Sequence, residues 1–290
     1  MGIIKITNLK KYFGKVKAVD DITLNVNEGE IFGYLGPNGA GKTTTISCMM
    51  GFLNPTAGKI SILGKDSVQD RTVLKNDIGY LSSDIQLYKD LTGWDHLNLI
   101  KNIRGESPIL TKLIDDLSYD PTIKVKNLST GNKQKLGIIM CFMNSPKVLI
   151  LDEPTKGLDP LLQNKIYEYI LDFKKNGTTI FMSSHNLSEV EKLCDHVGII
   201  KMGKLVTMET IHSLKEKRIL VVKAYFNGHS KIDDIKIPGI ERFEKLAGNG
   251  ISFKIKGEIT PIVKEMGKYD LHDLEITHAS LEEIFMEYYK

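Results

Sequence analysis

Gly36-Pro37-Asn38-Gly39-Ala40-Gly41-Lys42-Thr43 matches G-x-x-x-x-G-K-[ST] at every fixed position. The apolar run Ile31 to Leu35 precedes it, and a helical stretch beginning Thr43-Thr44 follows. A strand, a glycine-rich turn and a helix start are the context this motif requires. Glycines let successive backbone N–H groups turn inward around an anion. The helix start adds partial positive charge. Lys42 supplies a full charge for β- and γ-phosphates, and Thr43 offers a hydroxyl to Mg²⁺, a hard ion that prefers oxygen. The segment predicts a nucleotide phosphate cradle.

The surrounding sequence alternates strand-like and helical runs, which implies an α/β fold with a parallel sheet and helices on its faces. Ile3 to Leu9 and Ile22 to Val26 alternate as strands. Thr43 to Leu53 reads as a helix ended by the turn Asn54 to Gly58. Two helical stripes follow, Leu110/Leu113/Ile114/Leu117 and Leu136/Ile139/Met140/Met143. Val148 to Leu151 and Thr178 to Met182 are short apolar runs fit for buried parallel strands. Leu162, Ile166, Tyr169, Ile170 and Phe173 mark the crossover helix between them. Immediately after the first of these strands come Asp152 and Glu153. The C-terminal ends of strands in an open sheet are where ligands bind. Asp152 is expected to reach Mg²⁺ through water, and Glu153 to polarise the attacking water as a general base.

Composition bounds the alternatives. The 290 residues are 41% hydrophobic and 26% charged, which excludes a disordered or fibrous chain. Lys+Arg 39 against Asp+Glu 36 is too balanced for a dedicated nucleic-acid binder. No apolar run approaches the roughly 20 residues that span a bilayer. Met1 to Lys5 lacks the apolar run of a signal peptide. Cys48, Cys141 and Cys194 have no metal-ligand spacing and read as buried, reduced thiols.

Further segments make the chain resemble the nucleotide-binding subunits of ABC transporters. Leu128-Ser129-Thr130-Gly131-Asn132 resembles the family's signature, Gly157-Leu158-Asp159 its D-loop, and Ser183-Ser184-His185 its switch histidine. The resemblance implies a P-loop (RecA-like) ATPase core, with an antiparallel β-subdomain and a helical subdomain over about 84–145. Glu153 and His185 would be catalytic, and Thr43 and Asp152 would serve the metal. ATP would be bound by Gly36, Pro37, Asn38, Gly39, Ala40, Gly41, Lys42, Thr43 and Thr44, with Phe13 stacked on adenine. Ser129, Thr130, Gly131 and Asn132 would bind the ATP of a partner subunit, and Asp159 would cross the dimer interface. One departure stands out. Ser83 occupies the position of the Q-loop glutamine, and a serine is too short to reach the metal as glutamine does without backbone movement. The metal is then expected to keep an extra water.

The C-terminal segment Ala279-Ser280-Leu281-Glu282-Glu283-Ile284-Phe285 resembles the closing motif of ABC-2 type exporter ATPases, whose members include bacitracin-type and amphipathic-peptide exporters. That likeness implies a nucleotide-binding domain over 1–215 and a small α/β accessory domain over 216–290. In the accessory domain, strands are expected at Ile219 to Phe226, Ile251 to Lys256 and Leu271 to Thr277, and helices at Pro261 to Lys268 and from Ser280. The implied cofactors are ATP and Mg²⁺. The implied partners are a second ATPase subunit, identical or different, and separate transmembrane permease subunits, but no nucleic acid. The chain would sit at the cytoplasmic face of the membrane, held by the permease near Tyr88 to Thr92 and Trp94. The rival reading is a soluble ABC ATPase acting on ribosomes or DNA. Its usual marks, two cassettes in one chain or long coiled-coil insertions, are absent from this sequence.

Overall fold

The computed structural model describes residues 2–216, 219–228 and 240–278. The chain divides into two units, Met1–Thr210 and Ile211–Lys290.

The first unit begins with two long strands, β1 (Gly2–Phe13) and β2 (Val16–Asn27), which pair antiparallel across the turn at Gly14. Their alternation buries Ile4, Ile6, Ile22, Leu24 and Val26 on one face. The strands β4 (Ala57–Ile62) and β5 (Lys65–Asp66) extend this sheet in the order β2-β1-β4-β5.

The second sheet is built on β3 (Ile31–Leu35), with all five residues buried. It runs in the order β10-β9-β3-β8-β7-β6. The strands β6 (Ile78–Leu81), β7 (Val148–Asp152) and β8 (Thr179–Ser184) join β3 in a parallel array. The strand β9 (His196–Lys201) is also parallel to β3, and β10 (Lys204–Thr210) returns antiparallel to β9. Strands buried on both faces explain why β7 and β8 read as unbroken apolar runs. One apolar cluster joins the two sheets and helix α1 (Lys42–Met49) through Ile6, Val26, Phe32, Ile46 and Ile150. Helix α1 stops four residues before the expected Leu53, because Gly51, just past the C-cap Met50, takes the left-handed φ +64° that ends a helix.

A short helix, α2 (Arg71–Asp77), precedes β6. Between β6 and β7 come α3 (Gly93–Arg104), α4 (Leu110–Asp116) and α5 (Thr130–Phe142), so the two sequence stripes are helical. Thr92 and Asp95 form a reciprocal capping box at the start of α3. Between β7 and β8 runs α6 (Pro160–Lys175), and α7 (Leu187–Leu193) follows β8. All three cysteines are free and buried, and burial pushes the Cys48 thiol up to about 11. Among the described residues, no helix is long and apolar enough to cross a membrane.

The second unit opens with α8 (Ile211–Glu216) and contains β11 (Ile219–Phe226), β12 (Ile240–Leu246), β13 (Gly250–Lys256), α9 (Ile259–Met266) and β14 (Leu271–His278). The sheet order is β12-β13-β11-β14, with every pair antiparallel. These are the order and directions of a split β-α-β arrangement. Val222, Phe253, Ile262 and Met266 form its core. Strand β12 is absent from the sequence reading. Helix α9 begins two residues before Pro261, which is tolerated within the first turn. The helix expected from Ser280 lies outside the described residues.

Phe181 on β8 is fully buried, with its ring centroid 5.6 Å from that of Phe32 and 5.3 Å from that of Tyr34. Phe181→Ala is expected to cost about 3–5 kcal/mol. Denaturant unfolding measures this, and a loss below about 1 kcal/mol would mean that the sheet core is not packed around this ring.

Candidate functional site

Helix α1 begins directly beyond Gly41, with no side chain capping its first turn. Its first N–H groups are therefore left for another acceptor. The approach to the helix is close enough to require glycine. A Cβ on Gly36 would lie 2.5 Å from the Ile200 carbonyl. Gly41 has φ +110°, and a Cβ there would lie 2.4 Å from the Ala18 carbonyl. Gly203, in the turn between β9 and β10, clamps the same place: its N–H donates to the Ala40 carbonyl at 2.9 Å.

Lys42 is nearly fully buried, and its ammonium donates to the carbonyls of Gly36 at 2.7 Å and Pro37 at 3.2 Å. It also lies 3.6 Å from Glu153 Oε1. Burial pulls its pKa below the ordinary lysine value, while the Glu153 and Asp152 carboxylates pull the other way.

Asp152 ends β7 with no solvent exposure, so its carboxylate must be satisfied by partners. Three hydroxyls serve it. Thr43 Oγ1 and Ser83 Oγ each donate to Oδ2 at 2.9 Å, and Ser183 Oγ donates to Oδ1. Ser83 thus reaches Asp152 as closely as Thr43 does. The backbone beyond β6 brings the Ser83 hydroxyl to this carboxylate. Two hydroxyls converging on one carboxylate oxygen form a small all-oxygen donor set. That set suits Mg²⁺, which uses one or two carboxylates plus phosphate and water rather than a protein cage. The described residues contain no cluster of three or more His, Cys, Asp or Glu able to cage a metal.

Glu153 has left-handed backbone, φ +52°. Its N–H is held by Ser183, whose carbonyl and Oγ both accept at 3.2 Å. This turn brings its carboxylate to His185, with Nδ1 to Oε1 at 3.1 Å. With the proton on Nδ1, the other ring nitrogen of His185 is free to face a ligand.

Lys42, Thr43 and Glu153 line one cleft of about 540 Å³ together with Lys17, Asn38 and Met202. Pro37, Gly39, Gly41 and Thr44 also border it, whereas Gly36 and Ala40 are buried beneath the loop. Phe13 is not part of this lining. It ends β1 opposite Val16, which does line the cleft, and it is half exposed with Lys11 Nζ 4.9 Å from its ring centroid. Met202 was not singled out from the sequence. It occupies the β9–β10 turn at φ +49°, where a methionine carries no recognisable turn signal.

Ser129, Thr130, Gly131 and Asn132 do not border the cleft. They form the start of α5, where Ser129 accepts the Asn132 N–H at 3.2 Å. Asp159 caps α6 by accepting the Leu162 N–H at 3.0 Å. Gln134 is a further residue that sequence reasoning missed. Its amide donates to the Pro154 carbonyl at 3.0 Å, tying the first turns of α5 to the residue after Glu153.

Gly41→Ala forces a Cβ onto the Ala18 carbonyl at a left-handed φ. The expected outcome is a stability loss of about 1–3 kcal/mol together with weakened ATP binding. Thermal melting and a fluorescent-nucleotide titration read both, and unchanged values would contradict the close approach.

Residues 19–156 match the family described as ABC transporter. Over 98% of its length the chain is 33% identical to a bacitracin transport ATP-binding protein of Bacillus licheniformis, covering 96% of that protein. It is 40% identical to a lantibiotic transport ATP-binding protein of Streptococcus pyogenes, over 70% of this chain and 89% of the relative. A solved ATP-binding subunit of an ABC transporter superposes with a TM-score of 0.69 at 28% identity, covering 74% of this chain and 92% of that one. With the phosphate cradle, the two carboxylates and this full-length likeness in hand, the chain belongs to the ATP-binding proteins of ABC transporters.

Proposed function

We propose that this chain hydrolyses ATP to energise export of an antimicrobial or amphipathic peptide, or of a peptide antibiotic, through separate permease subunits. Its relatives named for bacitracin and lantibiotic transport support that substrate class. The observation that carries the hydrolytic part is Glu153. Its carboxylate lies at the cleft, 3.1 Å from His185 and 3.6 Å from Lys42, beside the oxygen donors of Asp152, Thr43 and Ser83.

In this reading Lys42 and the N–H groups of the 36–43 loop hold the β- and γ-phosphates. Thr43 and Asp152 hold Mg²⁺, which neutralises phosphate charge when bound, and the Ser83 hydroxyl orients Asp152. Glu153 draws the proton from the attacking water, and His185 keeps the carboxylate aimed while its free ring nitrogen meets the γ-phosphate. Phe13 stacks on the adenine from the edge of the cleft. Ser129 to Asn132 and Asp159 are exposed or partly exposed; the first four serve the ATP held by a second ATPase subunit, and Asp159 crosses the interface with it. The partner can be an identical or a related chain.

The permease is proposed to dock on the surface where Tyr88, Leu91 and Trp94 are exposed. Such large apolar side chains in water suit the apolar face of an amphipathic helix. Docking there holds the chain at the cytoplasmic face of the membrane.

Glu153→Gln is expected to bind ATP normally and to lose about 10²–10⁴-fold in turnover. Steady-state hydrolysis near the wild-type rate would sink the general-base role. Lys42→Ala removes charge-assisted hydrogen bonds worth roughly 1.5–3 kcal/mol each, so the ATP Kd should rise at least tenfold by calorimetry. For the exporter role, a tagged chain recovered from detergent-solubilised membranes should carry a multi-helix membrane protein. Ribosomal or DNA-bound proteins in its place would favour the soluble alternative.

A further inference from the structure

Glu189 on α7 is almost completely buried, yet neither nucleotide binding nor hydrolysis as described above uses it. Both of its carboxylate oxygens are engaged. Thr155 Oγ1 donates to Oε1 at 2.9 Å, and Ser184 Oγ donates to Oε2 at 2.6 Å. Thr155 lies two residues after Glu153, and Ser184 immediately precedes His185. These contacts close a ring. It runs from Glu153 along the chain to Thr155, across Glu189 to Ser184, on to His185, and back to Glu153 through the 3.1 Å contact between Nδ1 and Oε1.

The two segments joined in this way leave different strands, β7 and β8. Strand pairing fixes them only as far as Asp152 opposite Ser183. Beyond that pair, the Glu153 N–H is anchored to Ser183, and Glu189 is the side chain that ties the Thr155 loop to the Ser184 end. Burial raises the Glu189 pKa, against the pull of the two hydroxyls. Burying an acid is costly without partners, and a buried network with both oxygens partnered is rigid, so it holds the segments it joins in one arrangement.

We propose that Glu189 is a positioning residue that sets the separation and aim of Glu153 and His185. The proposal rests on the hydrolytic reading of those two residues. Glu189 touches no reacting atom; it acts through the residues it ties together.

The test is steady-state ATP hydrolysis, with thermal melting, for Glu189→Ala, Glu189→Gln, His185→Ala and the double variant Glu189→Ala/His185→Ala. Glu189→Ala should lower kcat about tenfold or more with KM for ATP unchanged. The double variant should fall within about threefold of His185→Ala alone, because residues acting through one contact are not additive. Glu189→Gln should recover most of the rate. Its carbonyl accepts from Thr155, and its amide can donate to Ser184, whose own proton can turn to the Asn186 carbonyl at 3.2 Å. A merely structural role would lower the melting temperature and multiply with His185→Ala.

A folded Glu189→Ala with wild-type kcat, a fully multiplicative double variant, or a Glu189→Gln as slow as Glu189→Ala would each overturn the proposal. If Glu189→Ala does not fold, Ser184→Ala and Thr155→Val delete the same two bonds singly and are read against the same criteria. Glu153→Gln run alongside separates the two readings: normal turnover there would refute the base assignment, whatever Glu189 does.

Discussion

A buried carboxylate needs partners, and Asp152 draws three parts of the fold together to find them. Its hydroxyl donors come from α1 through Thr43, from the loop beyond β6 through Ser83, and from β8 through Ser183. An unpaired charge in that position would be severely destabilising, since the penalty for burying it falls due at once. The arrangement therefore fixes where the phosphate loop, the strand-end carboxylates and the Ser83 loop stand relative to one another. Mg²⁺ fits the same oxygen set, so the contacts that satisfy the carboxylate in this structure are those that the metal and phosphates can share.

Backbone geometry does the remaining alignment. The 36–43 loop approaches the Ile200 and Ala18 carbonyls so closely that only glycine fits at Gly36 and Gly41. The chain then leaves β7 through a left-handed Glu153, which swings the side chain from the strand direction toward His185. Strained conformations of this sort persist where surrounding contacts over-determine them. Here the Ser183 carbonyl and hydroxyl hold the Glu153 N–H. The site is thus a product of two adjacent strand ends as much as of the phosphate loop.

Much of this was legible in the sequence because its signals are local. The glycine spacing before Lys42 states its own backbone requirements, and the short apolar run Val148 to Leu151 reads directly as a buried strand. Other features depend on contacts between distant residues. Ser83 reads as too short to reach a metal as glutamine does, and its contact with Asp152 depends on the path of the chain beyond Leu81. Glu189 sits in a charged helical stretch that gives no sign of burial. Strand β12 follows a stretch of mixed charge and has no strong apolar run, so its pairing with β13 decides it. Met202 lines the cleft from a turn that carries none of the usual turn residues except Gly203.

The central claim is that the oxygens around Asp152 form the Mg²⁺-ATP site. Calorimetric titration of ATP into the wild-type protein and Asp152→Asn, each with Mg²⁺ and with EDTA, addresses it directly. The account predicts tighter ATP binding with Mg²⁺ in the wild type, and loss of that metal-dependent increment in Asp152→Asn while binding in EDTA survives. An equal Mg²⁺ increment in both proteins would contradict it.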